Sequence, residues 1–273
     1  IIEGNLIRGN RSFGIYSTSI SDVQGQGNQV HGNGIDFMGN LPPILKGRIP
    51  KETVIVWPDG RYPTLQHAID ALLPGGRLII RAGDYKLRFR LIINKKLEIV
   101  SKEGAQVILR TEKPGEPVFF LVKGAELFMK GLKIIGGKYG LFLGANAQAT
   151  LLDCEISGNS SGIELQDDAQ ATVVNCTISA NKSCAISIHD DSHIAIIHCV
   201  VSRNEGDGVV AADNAQAEIV KSNISDNEDG ILSRGDSRVM IEESVLSGNE
   251  TGLNVFGNAR IKVLNCKIFK NTR

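Results

Sequence analysis

The chain has 273 residues, with 30 basic and 30 acidic side chains and a formal net charge of zero. That balance argues against nucleic acid or an anionic membrane surface as the main partner, and no apolar run approaches the ~18 residues that would span a bilayer. Hydrophobic residues make up 42% and aromatic residues 5% of the chain, an ordinary balance for a protein long enough to hold a continuous core.

The sequence opens inside a strand-like phrase, Ile1-Ile2-Glu3-Gly4-Asn5, which predicts a start within a domain and leaves targeting unread. Asn5 and Asn28, Asn10 and Asn33, and the Gly14-Ile15 and Gly34-Ile35 phrases predict two coils of a solenoid over 1–40. Two coils are fewer than such repeats need to stand alone, so they are expected to lean on another surface. Pro42-Pro43 and Pro50, set among Lys46, Arg48 and Lys51, predict a linker over 41–53. From residue 54 a second solenoid begins. Val54-Ile55-Val56-Trp57 predicts a strand. Residues 64–73 predict an amphipathic helix with Thr64 as N-cap and Leu65, Ala68, Ile69 and Leu72 on one face, stopped by Pro74-Gly75-Gly76. Such a helix caps an open solenoid end, which otherwise exposes core and unpaired strand edge; His67 is expected on its surface. Thr111 to Pro117 is an insertion on which a lateral loop can stand.

From Ala145 one short pattern is written six times with a period of 22 or 23 residues. One asparagine column runs through Asn159, Asn181, Asn204, Asn227, Asn249 and Asn271, and a second polar column through Asn146, Asp168, Asp191, Asn214, Asp236 and Asn258. A small-residue column holds Cys154, Cys176, Cys199, Ser222, Ser244 and Cys266. With three short runs of period two per repeat, the sequence predicts an all-β, single-stranded parallel β-helix with three strands per coil. Stacked asparagines then satisfy the turn backbone, and the stacked cysteines read as buried thiols; the five cysteines show no C-x-x-C pair for a metal. Alternation sends Ile163, Leu165, Val173 and Ile178 inward, and Glu164, Gln166, Gln170, Thr172 and Val174 outward.

The repeat, with its phrases Asn159-Ser160-Ser161-Gly162-Ile163 and Asn227-Glu228-Asp229-Gly230-Ile231, resembles the right-handed parallel β-helix repeat of the pectate-lyase-like superfamily, nearest its NosD-like and CASH branch. The helix followed by Ala82-Gly83-Asp84-Tyr85 is similar to the opening of many members. The resemblance implies an extracellular or periplasmic protein and a working surface along one sheet. It leaves activity open, because that superfamily includes lyases, hydrolases, epimerases and non-catalytic scaffolds. Mannuronan epimerases carry D-P-H, which is absent, and of four polygalacturonase-like signatures neither N-T-D nor G-H-G occurs.

The sheet after each Gly-Ile presents Gly144, Gln166, His189, Ala212, Arg234 and Phe256 outward, beside Phe142, Glu164, Ser187, Val210, Leu232 and Asn254. At its turn stand Asp167, Asp190 and Asp213, about 5 Å apart along the stack. They are expected to be either turn residues or a calcium site, Ca²⁺ being the one cofactor proposed. Glu164, Gln166, His189 and Asp213 are the candidate ligand-binding residues. His189, His193 and His198 are expected to point apart. A second apolar column, Leu152, Val174, Ile197, Val220 and Leu264, is a candidate contact stripe for self-association, as are the solenoid ends. The favoured reading is a non-catalytic module that binds a carbohydrate polymer or cell-surface protein along a lateral face. The rival is a polysaccharide lyase, hydrolase or epimerase using Asp167, Asp190, His189 and Arg234, and a third is a structural spacer.

Overall fold

In one representative coil the chain runs Gln148–Leu152, Glu155–Ser157 and Ser161–Leu165, three strands parted by tight turns. Each pairs in parallel with its counterpart a coil later: Leu151 with Val173, Ile156 with Ile178, Ile163 with Ile186. The computed structural model describes residues 53–272 in full. Before them it describes the backbone of Leu6–Ile7, Phe13–Tyr16, Gln29–Val30, Ile35–Met38 and Glu52. Among the described residues the main solenoid comprises sheet 1 with ten strands, sheet 2 with nine and sheet 3 with eight. The columns follow the period because a parallel register sets each residue on its copy one coil away.

The inward columns make one core. Ile163, Leu165, Val173 and Ile178 are fully buried, each contributing about 1.5–3 kcal/mol of apolar burial. In the last coil the same columns end on Val255, Val263 and Ile268, which are exposed.

Each coil turns three times, and most turns hold a residue in the left-handed region. Asp167, Asp190 and Asp213 (φ 61, 57 and 59°) share one such column with Gly235 and Gly257, which is why the sequence there chooses aspartate or glycine. The asparagine ladder is continuous: the Asn159 amide N–H and Nδ2 both donate to Asn181 Oδ1 (3.1 and 3.3 Å), and the pattern repeats through Asn204, Asn227, Asn249 and Asn271. The small-residue column is also a ladder. Cys154 N donates to Cys176 Sγ (3.3 Å), Cys176 N to Cys199 Sγ (3.5 Å), and Cys199 N to Ser222 Oγ (3.1 Å). The five thiols are free. Serine already serves in this column, so Cys176→Ser is expected to stay within about 1 kcal/mol of the native chain. Cys176→Ala strands the buried Cys154 N–H at about 1–3 kcal/mol; urea melts of the two variants distinguish them.

The helix runs Leu65–Ala71, with Thr64 Oγ1 accepting from His67 N–H at 3.3 Å. It stops earlier than Pro74-Gly75-Gly76 implied. Leu72 is already extended and opens the strand Leu72–Ile80, which runs through those residues. Leu65, Ala68, Ile69 and Leu72 are buried against the first coil. Gln66 closes the edge of sheet 3: its Nε2 donates to Ile92 O (3.1 Å) and its Oε1 accepts from Ile92 N (2.8 Å), as a neighbouring strand would.

The first strand of sheet 1 is Glu52–Trp57, so the end of the expected linker is strand, and residues 41–51 lie outside the described residues. In the first forty residues, Leu6–Ile7 pairs with Gln29–Val30 and Phe13–Tyr16 with Ile35–Met38, both in parallel. Asn5, Asn10, Asn28 and Asn33 lie outside the described residues.

Candidate functional site

Side chains that face outward from sheet 3 form one register-matched row: Ile92, Phe120, Phe142, Glu164, Ser187, Val210, Leu232 and Asn254. At about 4.8 Å per coil the row spans roughly 34 Å. Its upper part is aromatic and cationic. Phe120 and Phe142 stack with centroids 5.3 Å apart and planes within 13°, Tyr139 tilts against Phe142 at 5.6 Å, and Arg90 and Lys138 sit over Phe120 and Tyr139 at 4.7 and 5.0 Å. The insertion borders this part: Lys113 lies 4.6 Å above the exposed Phe89 ring.

The lower part is polar. Gln166 Nε2 donates to Glu164 Oε1 at 3.1 Å. The His189 imidazole lies with Nε2 2.8 Å from Ser187 Oγ and 3.5 Å from Glu164 Oε1, and with Nδ1 3.9 Å from Asp213 Oδ2. All four candidate ligand-binding residues therefore come together. Glu164 is more buried than its outward position implied, at 7% exposed. Burial pushes its carboxyl above the usual glutamate value, against the opposing pull of the Gln166 amide, His189 and Lys138.

A carboxyl held high in the folded chain keeps a proton that the unfolded chain has released. Its contribution is thus full at acid pH and is lost as pH rises from 4.5, the ordinary value, through the raised one. Glu164→Gln is expected to be more stable than the native chain at pH 7 and indistinguishable from it below about pH 4, as urea midpoints at the two pH values will show.

Sequence reasoning missed a second polar group on this face. Cys184, Asp207 and Asp229 share one register column, Asp229 opening its sheet 3 strand and the other two lying two residues ahead of Ile186–Ile188 and Val209–Ala211. Asp229 N donates to Asp207 Oδ1 (3.1 Å), Cys184 Sγ lies 3.8 Å from Asp207 Oδ2, and Asn254 Nδ2 donates to Asp229 Oδ2 (2.6 Å). Burial raises the Asp207 carboxyl, while Arg234 is among the groups that pull it down. The 23-residue coils were the available signal: their extra residue falls in the turn after Asn181 and Asn204, just before Cys184 and Asp207.

The acidic stack turns its carboxylates toward the backbone of the neighbouring coil. Asp167 Oδ2 accepts Ala145 N (3.1 Å), Asp190 Oδ2 accepts Asp167 N (2.9 Å), and Asp213 Oδ2 accepts Asp190 N (3.3 Å). The left-handed backbone aims each carboxylate along the stack at the preceding coil, and among the described residues no three ligating side chains converge. Asp167 and Asp190 are thus tied to backbone. His193 stands on sheet 1 and His198 in a turn with φ 53°, apart from His189. The stripe Leu152, Val174, Ile197, Val220 and Leu264 is half-buried. A shallow depression on sheet 1, among Glu218, Arg238 and Lys262, lies on a different face from His189.

Three parallel sheets wound coil upon coil, with ladders in their turns, define a parallel β-solenoid. The family model for the right-handed β-helix region matches residues 118–232 and 184–273, together more than half of the chain, and the chain belongs to that family. The match does not separate out the NosD-like and CASH branch. No curated protein matches the sequence. Among solved structures, pectate lyase Pel9A superimposes with a TM-score of 0.60 at 12% identity, over 81% of this chain and 78% of its own. The pectin methylesterase from Aspergillus niger gives 0.57 at 16%, over 78% and 84%. The mannuronan C-5 epimerase AlgE4 A-module from Azotobacter vinelandii gives 0.55 at 14%, over 74% and 71%. At these identities the likeness is one of fold.

Proposed function

We propose that the outer face of sheet 3 binds a polysaccharide chain laid along the solenoid axis. The observation that carries this reading is the register-matched row from Phe120 to Asn254, aromatic and cationic at one end and carrying the hydrogen-bonding Glu164, Ser187 and Asn254 beyond it. Aromatic faces take the C–H faces of sugar rings, and carboxylates and amides take their hydroxyls. The coil rise of about 4.8 Å is close to the length of one pyranose unit, so successive sugars meet successive coils. Arg90, Lys113 and Lys138 favour acidic sugars at the aromatic end, and the fold is shared with a pectate lyase, a pectin methylesterase and a mannuronan epimerase. Such a ligand fits an extracellular or periplasmic setting. Among the described residues no helix is long and apolar enough to cross a membrane.

Affinity electrophoresis through gels cast with pectate, alginate, or a neutral glucan tests this. Retardation by a polysaccharide, relieved about tenfold in affinity by Phe142→Ala (roughly 1.4 kcal/mol), is the expected result. Passage through every gel, with capture of a cell-surface protein instead, would favour the other ligand class.

A further inference from the structure

We propose that Ser187, His189 and Asp213 form an acyl-transfer triad that removes a short-chain ester, an O-acetyl group, from a polysaccharide on this face. The proposal rests on the binding reading only for where the substrate comes from. The geometry stands on its own: Ser187 Oγ is 2.8 Å from His189 Nε2, and His189 Nδ1 is 3.9 Å from Asp213 Oδ2. Nucleophile, base and orienting carboxylate are thus in sequence on the two sides of one imidazole. Two local features build it. Ser187 and His189 are two apart, so both face outward from sheet 3. Asp213 follows one coil later in a left-handed turn (φ 59°), its Oδ2 held by Asp190 N–H at 3.3 Å.

The 3.9 Å separation is that of an open site, which a bound chain that excludes water would shorten. Glu164 Oε1, at 3.5 Å, also faces Nε2. With Nδ1 protonated toward Asp213, Nε2 is free to accept the Ser187 proton; with Nε2 protonated toward Glu164 it is not, so the tautomer decides which partner the imidazole serves. The surroundings suit a small acyl group. Val210, in register with Ser187, and Ala212, beside His189, are small, apolar and buried, an apolar neighbourhood for the methyl of an acetyl group. Gln166, one coil above His189, gives one Nε2 hydrogen to Glu164 and has a second for the carbonyl oxygen.

Ser187 Oγ attacks the ester carbonyl carbon as its proton passes to His189 Nε2. The tetrahedral adduct then collapses, the bond to the sugar oxygen breaks, and that oxygen takes the proton back from Nε2 and leaves as a hydroxyl. Water, deprotonated by the same nitrogen, releases acetate from Ser187 and restores the serine. The sum is ester plus water giving acid plus alcohol, and no other reactant is needed.

The test uses the whole chain with 4-nitrophenyl acetate, acetylated pectin, and a tagged fluorophosphonate. The expected results are acetate release from both esters and a phosphonylated peptide containing Ser187. Ser187→Ala should lower kcat/KM at least about a hundredfold while keeping the native urea midpoint. Asp213, a positioning residue, should lose kcat as Asp213→Asn with KM kept. Absence of release and labelling in the native chain, or release untouched by Ser187→Ala, would overturn the triad. Electrophoresis in deacetylated pectin separates the two readings: retention without esterase activity rejects only the triad, and esterase activity without retention rejects only polysaccharide binding.

Discussion

Gly230→Ala is expected to cost about 3 kcal/mol of stability, at the upper end of what overpacking of a closed site costs. A methyl there would stand 2.6 Å from the carbonyl oxygen of Gly252 and 3.0 Å from Asn249 Nδ2. Neither can yield: the first is backbone in the next coil, and the second is fixed in the asparagine ladder. The register column one residue after Asp229 is glycine at Gly140, Gly162, Gly208, Gly230 and Gly252, and a Cβ at each would overlap a neighbour in the same way. Gly115, in the insertion, has open space around it, and Gly115→Ala should shift the midpoint by no more than about 0.5 kcal/mol. Urea unfolding of both variants, followed by circular dichroism, gives the comparison.

Asn204→Ala should cost about as much, roughly 3 kcal/mol, through unsatisfied polar groups rather than overlap. Asn204 Oδ1 accepts both the amide N–H and Nδ2 of Asn181 (3.1 and 2.9 Å), and its own Nδ2 donates to Asn227 Oδ1 at 2.8 Å and Ile178 O at 3.4 Å. Asn181 is fully buried, so no water replaces the lost acceptor. Asn258 offers the control. Its Nδ2 meets Asp236 Oδ1 at 3.1 Å on an exposed turn, and Asn258→Ala should fall within about 0.5 kcal/mol of the native chain. Loss of equal stability in both variants would show that the buried ladder has no special weight.

These two variants probe what was most legible in the sequence. A parallel solenoid sets each residue on its copy, so the period identifies the asparagine column, and alternation within each strand identifies the inward Ile163 and Leu165 and the outward row through Phe142 and Glu164. The capping helix was legible from Thr64 and its apolar face; its end was not, because Leu72 pairs with Glu52 before the helix can continue. Side-chain direction within turns was also illegible. Asp167, Asp190 and Asp213 stand one above another as the period implied, but a left-handed backbone points their carboxylates at amides instead of at a shared point. Burial of Glu164 depended on which side chains flank it on neighbouring coils, a property of packing that a column of letters does not contain, whereas the Cys184–Asp207–Asp229 group was signalled by the 23-residue spacing of its coils.

Binding along sheet 3 is tested most directly by calorimetric titration of the chain with uronate oligosaccharides of increasing length, using two variants on opposite faces. Phe142→Ala removes the stacked ring on sheet 3, and Val174→Asp alters the half-buried stripe on sheet 1. Affinity is expected to grow with oligosaccharide length, to fall about tenfold in Phe142→Ala and to be unchanged in Val174→Asp. Affinity lost in Val174→Asp and kept in Phe142→Ala would contradict binding along sheet 3 and move the binding surface to sheet 1.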